Sequence, residues 1–259
     1  MDKFFIKNRK NQRIKVITEQ QPNQKGLAII MHGLGGSKNE TQIQLFAKAF
    51  QEEGYTTIRF DTTNTFGESD GNYEDATTTN YYEDLEDVIE WASSQSWSEE
   101  PFILAGHSIG GICTSLFAQK HPEKVKALAP ISSVISGELS LKSPRYEGKD
   151  ILKTWEETGW RIEKSISVPG RIKKLKWAHI QDRLKYNLLE NADKLTMPVL
   201  LIVGDKDKST PLEHQKLLYN KLPGKKELHV IKNAPHTFRD EFQLREIKEI
   251  IKNWIKKLI

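Results

Sequence analysis

One cysteine in 259 residues, Cys113, excludes any disulfide within the chain. An excess of one charge is also lacking. The 39 Lys and Arg against 35 Asp and Glu leave a formal net charge of +4, too small to argue for a nucleic-acid partner. No nucleic-acid-binding motif is present either. Long apolar runs are missing too. The opening MDKFFIKNRKNQRIKV has no apolar core of signal-peptide length, and no stretch approaches a membrane span. Cytoplasmic residence without stable membrane insertion is therefore expected. There is no G-x-x-x-x-G-K-[ST] loop and no dinucleotide fingerprint, so the usual cues for a phosphate-bearing cofactor are absent. No cofactor and no metal are expected. Hydrophobic residues at 37% and charged residues at 29% describe a globular protein. Its length suits one large α/β domain with an insertion better than two independent domains.

What is present concentrates in Phe102–Gly111, FILAGHSIGG. An apolar, strand-like stretch runs into Gly106-His107-Ser108-Ile109-Gly110, and apolar residues at helical spacing follow from Ile112. Strand, sharp turn and helix are what a nucleophile elbow requires. The glycines leave room beside the serine, and the helix that starts there aims its partial positive end at the Ser108 hydroxyl.

Around this motif, strands and helices alternate, which predicts a mostly parallel sheet covered on both faces. Phe4–Ile6 and Ile14–Ile17 read as an opening hairpin, and Leu27–Met31 as a central strand. Helix 41–53, strand 56–60, helix 81–95, strands 125–131 and 198–203, a helix from Pro211 and strand 227–231 follow. An amphipathic helix carrying Ile247, Ile250, Ile251, Trp254, Ile255 and Leu258 closes the chain. Over sixty residues separate strands 125–131 and 198–203, too many for a simple crossover. Residues 136–193 are thus expected to form a cap inserted into a core of 1–135 and 194–259. Three tryptophans lie there, Trp155, Trp160 and Trp177, with the basic run Arg171–Trp177. Two readings stay open: the tryptophans are the cap's own core, or they wall the substrate site.

A serine nucleophile needs a base. Of seven histidines, His236 stands in a loop between the last strand and the last helix, where side chains from several parallel strands converge. His107 sits inside the elbow with its ring pointing away from the hydroxyl, and His32 suits a loop-supporting role. The imidazole needs an acid to hold its tautomer. Gly204-Asp205-Lys206-Asp207 offers two, and Asp207, farther out in the loop, is the better placed. The chain order Ser108, Asp207, His236 is that of α/β-hydrolases. His32-Gly33-Leu34-Gly35-Gly36 has the glycines an oxyanion loop needs, so the N–H groups of Leu34 and Ile109 are the expected donors.

The segments MHGLGGSKNE, FGESDG, AGHSIGG, GDKD and APHTF together resemble the α/β-hydrolase family over nearly the whole chain. Within it, the chain looks most like bacterial feruloyl (cinnamoyl) esterases and their serine-aminopeptidase-like and monoacylglycerol-lipase-like relatives. The resemblance implies an eight-stranded, mostly parallel sheet with helices on both faces and a small helical cap. It also implies hydrolysis of a small-molecule ester, of small or aryl-acyl type, through an acyl-enzyme on Ser108 without a cofactor. A monoacylglycerol lipase or lysophospholipase is the alternative enzyme, and a non-catalytic binding protein on a hydrolase scaffold the alternative of another class. Thioesterase, peptidase and carbon–carbon hydrolase chemistry use the same residues. One departure stands out. Relatives carry D-x-R-G-F/H-G-x-S after the fourth strand, whereas this chain has Asp61–Ser69, one residue longer and without the arginine.

Overall fold

In the computed structural model, described for residues 1–148, 150–165, 168 and 170–258, the chain opens with the antiparallel hairpin β1 (Asp2–Lys7) and β2 (Arg13–Glu19). Strand β3 (Leu27–Met31), buried at every residue, leads to helix α1 (Thr41–Glu52) and strand β4 (Thr56–Phe60). Helix α2 (Thr78–Ser93) begins before its apolar spacing does, because the Thr77 side chain caps it by accepting the Asn80 N–H. Strand β5 (Phe102–His107), helix α3 (Ile109–Lys120) and strand β6 (Val125–Ile131) follow. After residues 136–193 the alternation resumes with β9 (Val199–Gly204), α7 (Leu212–Lys221), β10 (Lys226–Ile231) and α8 (Glu241–Lys256).

These eight strands form one sheet in the order β1-β2-β4-β3-β5-β6-β9-β10. Strand β2 runs antiparallel to its neighbours β1 and β4, and the pairs from β4 to β10 are parallel. Alternate residues of the central strands feed two apolar layers. Ile29, Leu104, Leu128 and Leu201 pack with Leu85 and Val88 of α2 and Ile112 and Phe117 of α3. Ala28, Ile30, Ile103 and Ile202 pack on the other side with Phe46 and Phe50 of α1 and Ile247, Ile251 and Trp254 of α8. Burial on both faces is why these strands read as continuous apolar runs. The carboxyl ends of β3, β5, β9 and β10 lie at one edge of this frame, and the loops leaving them carry the candidate site.

The inserted stretch differs from the small helical cap that the resemblance implies. It holds helices α4 (Gly137–Leu141), α5 (Ile151–Thr158) and α6 (Ala178–Arg183), but also an antiparallel hairpin, β7 (Trp160–Lys164) with β8 (Ile172–Lys176). Exposure alternates along both strands, the two-residue period of a strand with unlike faces. Long side chains such as Arg161, Lys173 and Lys174 hide that period in a hydropathy reading. Among the described residues, no helix is long and apolar enough to cross a membrane.

Candidate active site

Ser108 occupies the turn between β5 and α3 with φ 58° and ψ −115°, a region that non-glycine residues rarely adopt. Its backbone is tied down on both sides. The Ser108 N–H donates to the Ile131 carbonyl (3.0 Å), while the Ser108 carbonyl accepts from Gly111 (3.0 Å) and Val134 (3.1 Å). The flanking glycines are a packing requirement. A Cβ on Gly106 would stand 2.3 Å from the Gly110 carbonyl oxygen, and one on Gly110 would stand 2.5 Å from the His32 carbonyl oxygen. The G-x-S-x-G spacing thus lets the turn close against the end of β3.

The three residues singled out from the sequence meet here. Ser108 Oγ donates to His236 Nε2 (2.9 Å), and His236 Nδ1–H donates to Asp207 Oδ2 (2.8 Å). Asp207 Oδ1 accepts the N–H groups of Ser209 (2.8 Å) and Thr210 (2.9 Å), and the Thr210 hydroxyl lies 2.8 Å from Oδ2. Burial alone would push the Asp207 carboxyl up, but the bonds from His236 and Thr210 outweigh it and hold it well below the usual carboxylate range. Asp207 is therefore ionised and fixed, as an acid that orients an imidazole must be. Asp205 is exposed, and its N–H donates to the Ile231 carbonyl (3.1 Å) at the turn.

Two histidines support the arrangement from behind. His107 Nε2–H donates to the His236 carbonyl (2.9 Å), and its Nδ1 lies 3.3 Å from Gln42 Nε2. Gln42 Oε1 in turn accepts the Phe238 N–H (3.1 Å). His107 and Gln42 thus pin the loop that carries His236, a role that the sequence does not reveal. Burial pushes the His107 imidazole down to about 3, so it is neutral. His32 Nδ1–H donates to the Gly33 carbonyl (2.7 Å) and Nε2 accepts the Thr62 N–H (3.1 Å), which steadies the glycine loop after β3.

Leu34 and Ile109 both line the cleft above Ser108. Ile109 is the first residue of α3, where N–H groups have no intrahelical acceptor. Both candidate oxyanion donors therefore belong to the same opening as the serine.

That cleft has a volume of about 360 Å³. Its floor is Gly33, Leu34, Ser108 and His236, and one wall is Phe66 stacked on Tyr73 with ring centres 4.4 Å apart. Phe66 comes from the unusual Asp61–Ser69 loop. Asp61 is anchored by buried Lys38, whose Nζ is 2.7 Å from Oδ2 and whose N–H donates to Oδ1 (2.7 Å). The roof comes from the insertion: Ser140, Arg145, Tyr146, Arg161, Glu163 and Lys173 among others. The tryptophans are elsewhere, which corrects the substrate-wall reading. None of Trp155, Trp160 and Trp177 lines the cleft. Trp155 is only 1% exposed; its indole N–H donates to the Leu175 carbonyl (3.0 Å) and its ring stacks on His179. Trp177 packs edge-on against Trp155, and Trp160 lies beneath Lys174. Indoles carry more apolar area than any other side chain, and here Trp155 and Trp177 place it in the apolar layer that also holds Leu175, Ile180 and Leu188.

A doubly covered, mostly parallel sheet with a serine on a positive-φ turn at the end of its fifth strand defines an α/β hydrolase. The chain belongs to the serine aminopeptidase, S33 family (Hydrolase_4), whose profile matches residues 22–185. It is 28% identical to an Escherichia coli protein known as "Uncharacterized 31.7 kDa protein in traX-finO intergenic region", over 89% of this chain and 90% of that one. It is 26% identical to the bovine (Bos taurus) mitochondrial palmitoyl-protein thioesterase ABHD10, over 89% of this chain and 73% of that protein. Among solved structures, Est1E from Butyrivibrio proteoclasticus with ferulic acid bound superposes with a TM-score of 0.83. It shares 24% identity and 98% of each chain is covered. At that identity the likeness speaks for the fold.

Proposed function

We propose that the protein is a serine carboxylic-ester hydrolase working through an acyl-enzyme on Ser108. The observation that carries this reading is the continuous Ser108–His236–Asp207 hydrogen-bond chain opening into a cleft. As Ser108 Oγ attacks the ester carbonyl carbon, its proton passes to His236 Nε2, and the ionised Asp207 stabilises the imidazolium. The N–H groups of Leu34 and Ile109 hold the oxyanion of the tetrahedral intermediate. Collapse of that intermediate breaks the bond to the alcohol, which leaves with the proton from His236. Water then repeats the sequence on the acyl-enzyme, releasing the acid and restoring the Ser108 hydroxyl.

In this reading residues 136–193 act as a cap that roofs the site on a core of 1–135 and 194–259. Small or aryl acyl groups suit the cleft, since Phe66 and Tyr73 offer an aromatic wall of that size. The kinship with a protein named as a thioesterase supports a second reading, because the same steps accept a sulfur leaving group. A lipase is less favoured: the roof is charged, and Trp155 is hydrogen-bonded inside the insertion instead of facing a lipid surface. A non-catalytic scaffold would have no use for a strained serine held against an oriented imidazole. Labelling with a fluorophosphonate probe and hydrolysis of 4-nitrophenyl acetate test the proposal. Both are expected in the native protein, and Ser108→Ala should abolish labelling and lower kcat by about 10⁴-fold or more. Absence of labelling, or turnover in Ser108→Ala near the native rate, would refute it.

A further inference from the structure

The chain as a whole is nearly balanced in charge, with 39 basic and 35 acidic residues, but the cleft is not. Seven of its lining residues are Arg or Lys and two are Glu. Two carboxylates cannot balance seven cations. Glu163 is shared by two guanidiniums, that of Arg161 and that of Arg145 at 3.6 Å. Glu40 is mostly buried, and burial pushes its carboxyl up. Lys173, opposite Glu163 in the hairpin register, is half-buried.

Arg183 is the most telling of the cations. It is 9% exposed, lines the cleft, and has no carboxylate within ion-pair distance among the described residues. Its contacts are the Ser140 hydroxyl at 3.4 Å, the Tyr146 side chain and His179 Nε2, while its Nε–H has no partner. His179 is bound to act as an acceptor, because its Nδ1–H donates to the Ala76 carbonyl (2.8 Å) and burial beside Arg183 keeps the ring neutral. A buried guanidinium without a counter-charge is costly, and the cost is recovered only when an anion arrives. Four separate elements converge on this arrangement: Arg145 follows α4, Arg161 lies on β7, Lys173 on β8 and Arg183 ends α6.

We propose that the cleft recognises an ester bearing a carboxylate or phosphate group, which Arg183, Arg145 and Arg161 bind while the ester carbonyl sits at Ser108. This rests on the hydrolase reading above and narrows it to a substrate class. It also sets this chain against substrates with a free amino terminus. An α-ammonium group would need an unshared carboxylate; of the two in the cleft, Glu163 is held by two arginines and burial pushes Glu40 toward its neutral form.

The test compares mono-4-nitrophenyl succinate or glutarate with neutral 4-nitrophenyl butyrate or valerate, and 4-acetoxybenzoate with phenyl acetate to place the anion on the alcohol side. The readout is the ratio of kcat/KM within each pair, which cancels any loss common to both esters. One pair should favour the anion by about tenfold or more, the size that one charge-assisted hydrogen bond supplies. The preference should shrink with added salt. Arg183→Met should bring the ratio near one. If that variant does not fold, Arg145→Gln and Arg161→Gln on more open positions should each reduce it. Inhibition by inorganic phosphate and by succinate, at matched ionic strength, separates the two anion chemistries; inhibition by neither counts against the proposal. Equal or better turnover of the neutral esters, or a preference untouched by all three substitutions, would overturn it. Loss of probe labelling with every ester inert would instead sink the underlying hydrolase reading.

Discussion

Replacing Asp207 by Asn alters the two hydrogen bonds at Oδ2, from His236 and from the Thr210 hydroxyl, and that hydroxyl can turn to the Ser132 carbonyl at 2.9 Å. Oδ1 would still accept from the Ser209 and Thr210 N–H groups. At the other position an amide NH₂ would replace Oδ2, which now accepts from His236 Nδ1 at 2.8 Å. The amide must donate there, so His236 places its proton on Nε2, 2.9 Å from Ser108 Oγ. In that tautomer the imidazole donates to the serine and cannot take its proton. The expected cost is about 10³–10⁴ in kcat, or roughly 4–5.5 kcal/mol of transition-state stabilisation. Asp205→Asn should cost less than about tenfold on the same scale, because the exposed Asp205 holds its turn through its backbone N–H. Steady-state hydrolysis of 4-nitrophenyl acetate by both variants, with thermal melts to verify folding, makes the comparison. If Asp205→Asn is the more damaging change, or Asp207→Asn stays within tenfold of the native rate, the assignment of the acid is wrong.

Trp155→Ala should destabilise the fold by about 3–5 kcal/mol, since it empties a buried site and removes the indole's hydrogen bond to the Leu175 carbonyl. It should lower turnover of acetate and bulky esters alike, and a selective effect on bulky esters would return this indole to the substrate wall. His107 makes stability depend on pH in a defined window. Its folded value of about 3 lies below the ordinary 6.5, so the unfolded chain binds the extra proton between them. The stabilisation is complete above about pH 6.5 and drains away as pH falls toward 3, with a slope of at most about 1.4 kcal/mol per pH unit. Urea unfolding of native and His107→Gln proteins across that range should show a shallower slope in the variant; identical slopes would contradict a buried, neutral His107.

Legibility from sequence followed the physics of each element. Strands β3, β5 and β9 were readable because burial on both faces demands unbroken apolar runs. The elbow was readable because steric closeness at Gly106 and Gly110 leaves a compositional trace. His236 could be located by topology alone, since the loop after β10 opens at the same sheet edge as Ser108. Other features leave no such trace. The direction of the tryptophans depends on packing that composition does not encode. Arg145, Arg161 and Arg183 are scattered over nearly forty residues and share a cleft only after α4–α6 fold. Lys38 and Asp61, a buried ion pair shaping the Phe66 loop, are 23 positions apart. His107 acts through the His236 backbone carbonyl, which no residue type advertises.

The hairpin β7–β8 shows why the cleft is better explained by a charged ligand than by packing. Of its strand residues, Arg161, Glu163 and Lys173 line the cleft, with Lys164 at the hairpin's end. Apart from Leu175, the isoleucines of the pair face the other way: Ile162 is 61% exposed and Ile172 is 50% exposed. An amphipathic strand pair covering a core would do the reverse, and a one-residue shift in register would be enough to achieve it. The observed register is nonetheless anchored from within, by Leu175 buried in the same apolar layer as Trp155 and by its carbonyl bound to the indole. With Leu175 inward, period two forces Lys173 and its cross-strand partner Glu163 to the same side, and Arg161 opposite Leu175 as well. The interior tryptophan therefore sets the side on which the charges emerge. Weakening that anchor should disorder the cationic roof before it disturbs Ser108, which is held by β5 and β6. Trp155→Phe, which keeps the ring and loses the indole N–H, should reduce discrimination between anionic and neutral esters while probe labelling of Ser108 persists. Loss of labelling in step with loss of discrimination would show that the roof and the serine are not separable in this way.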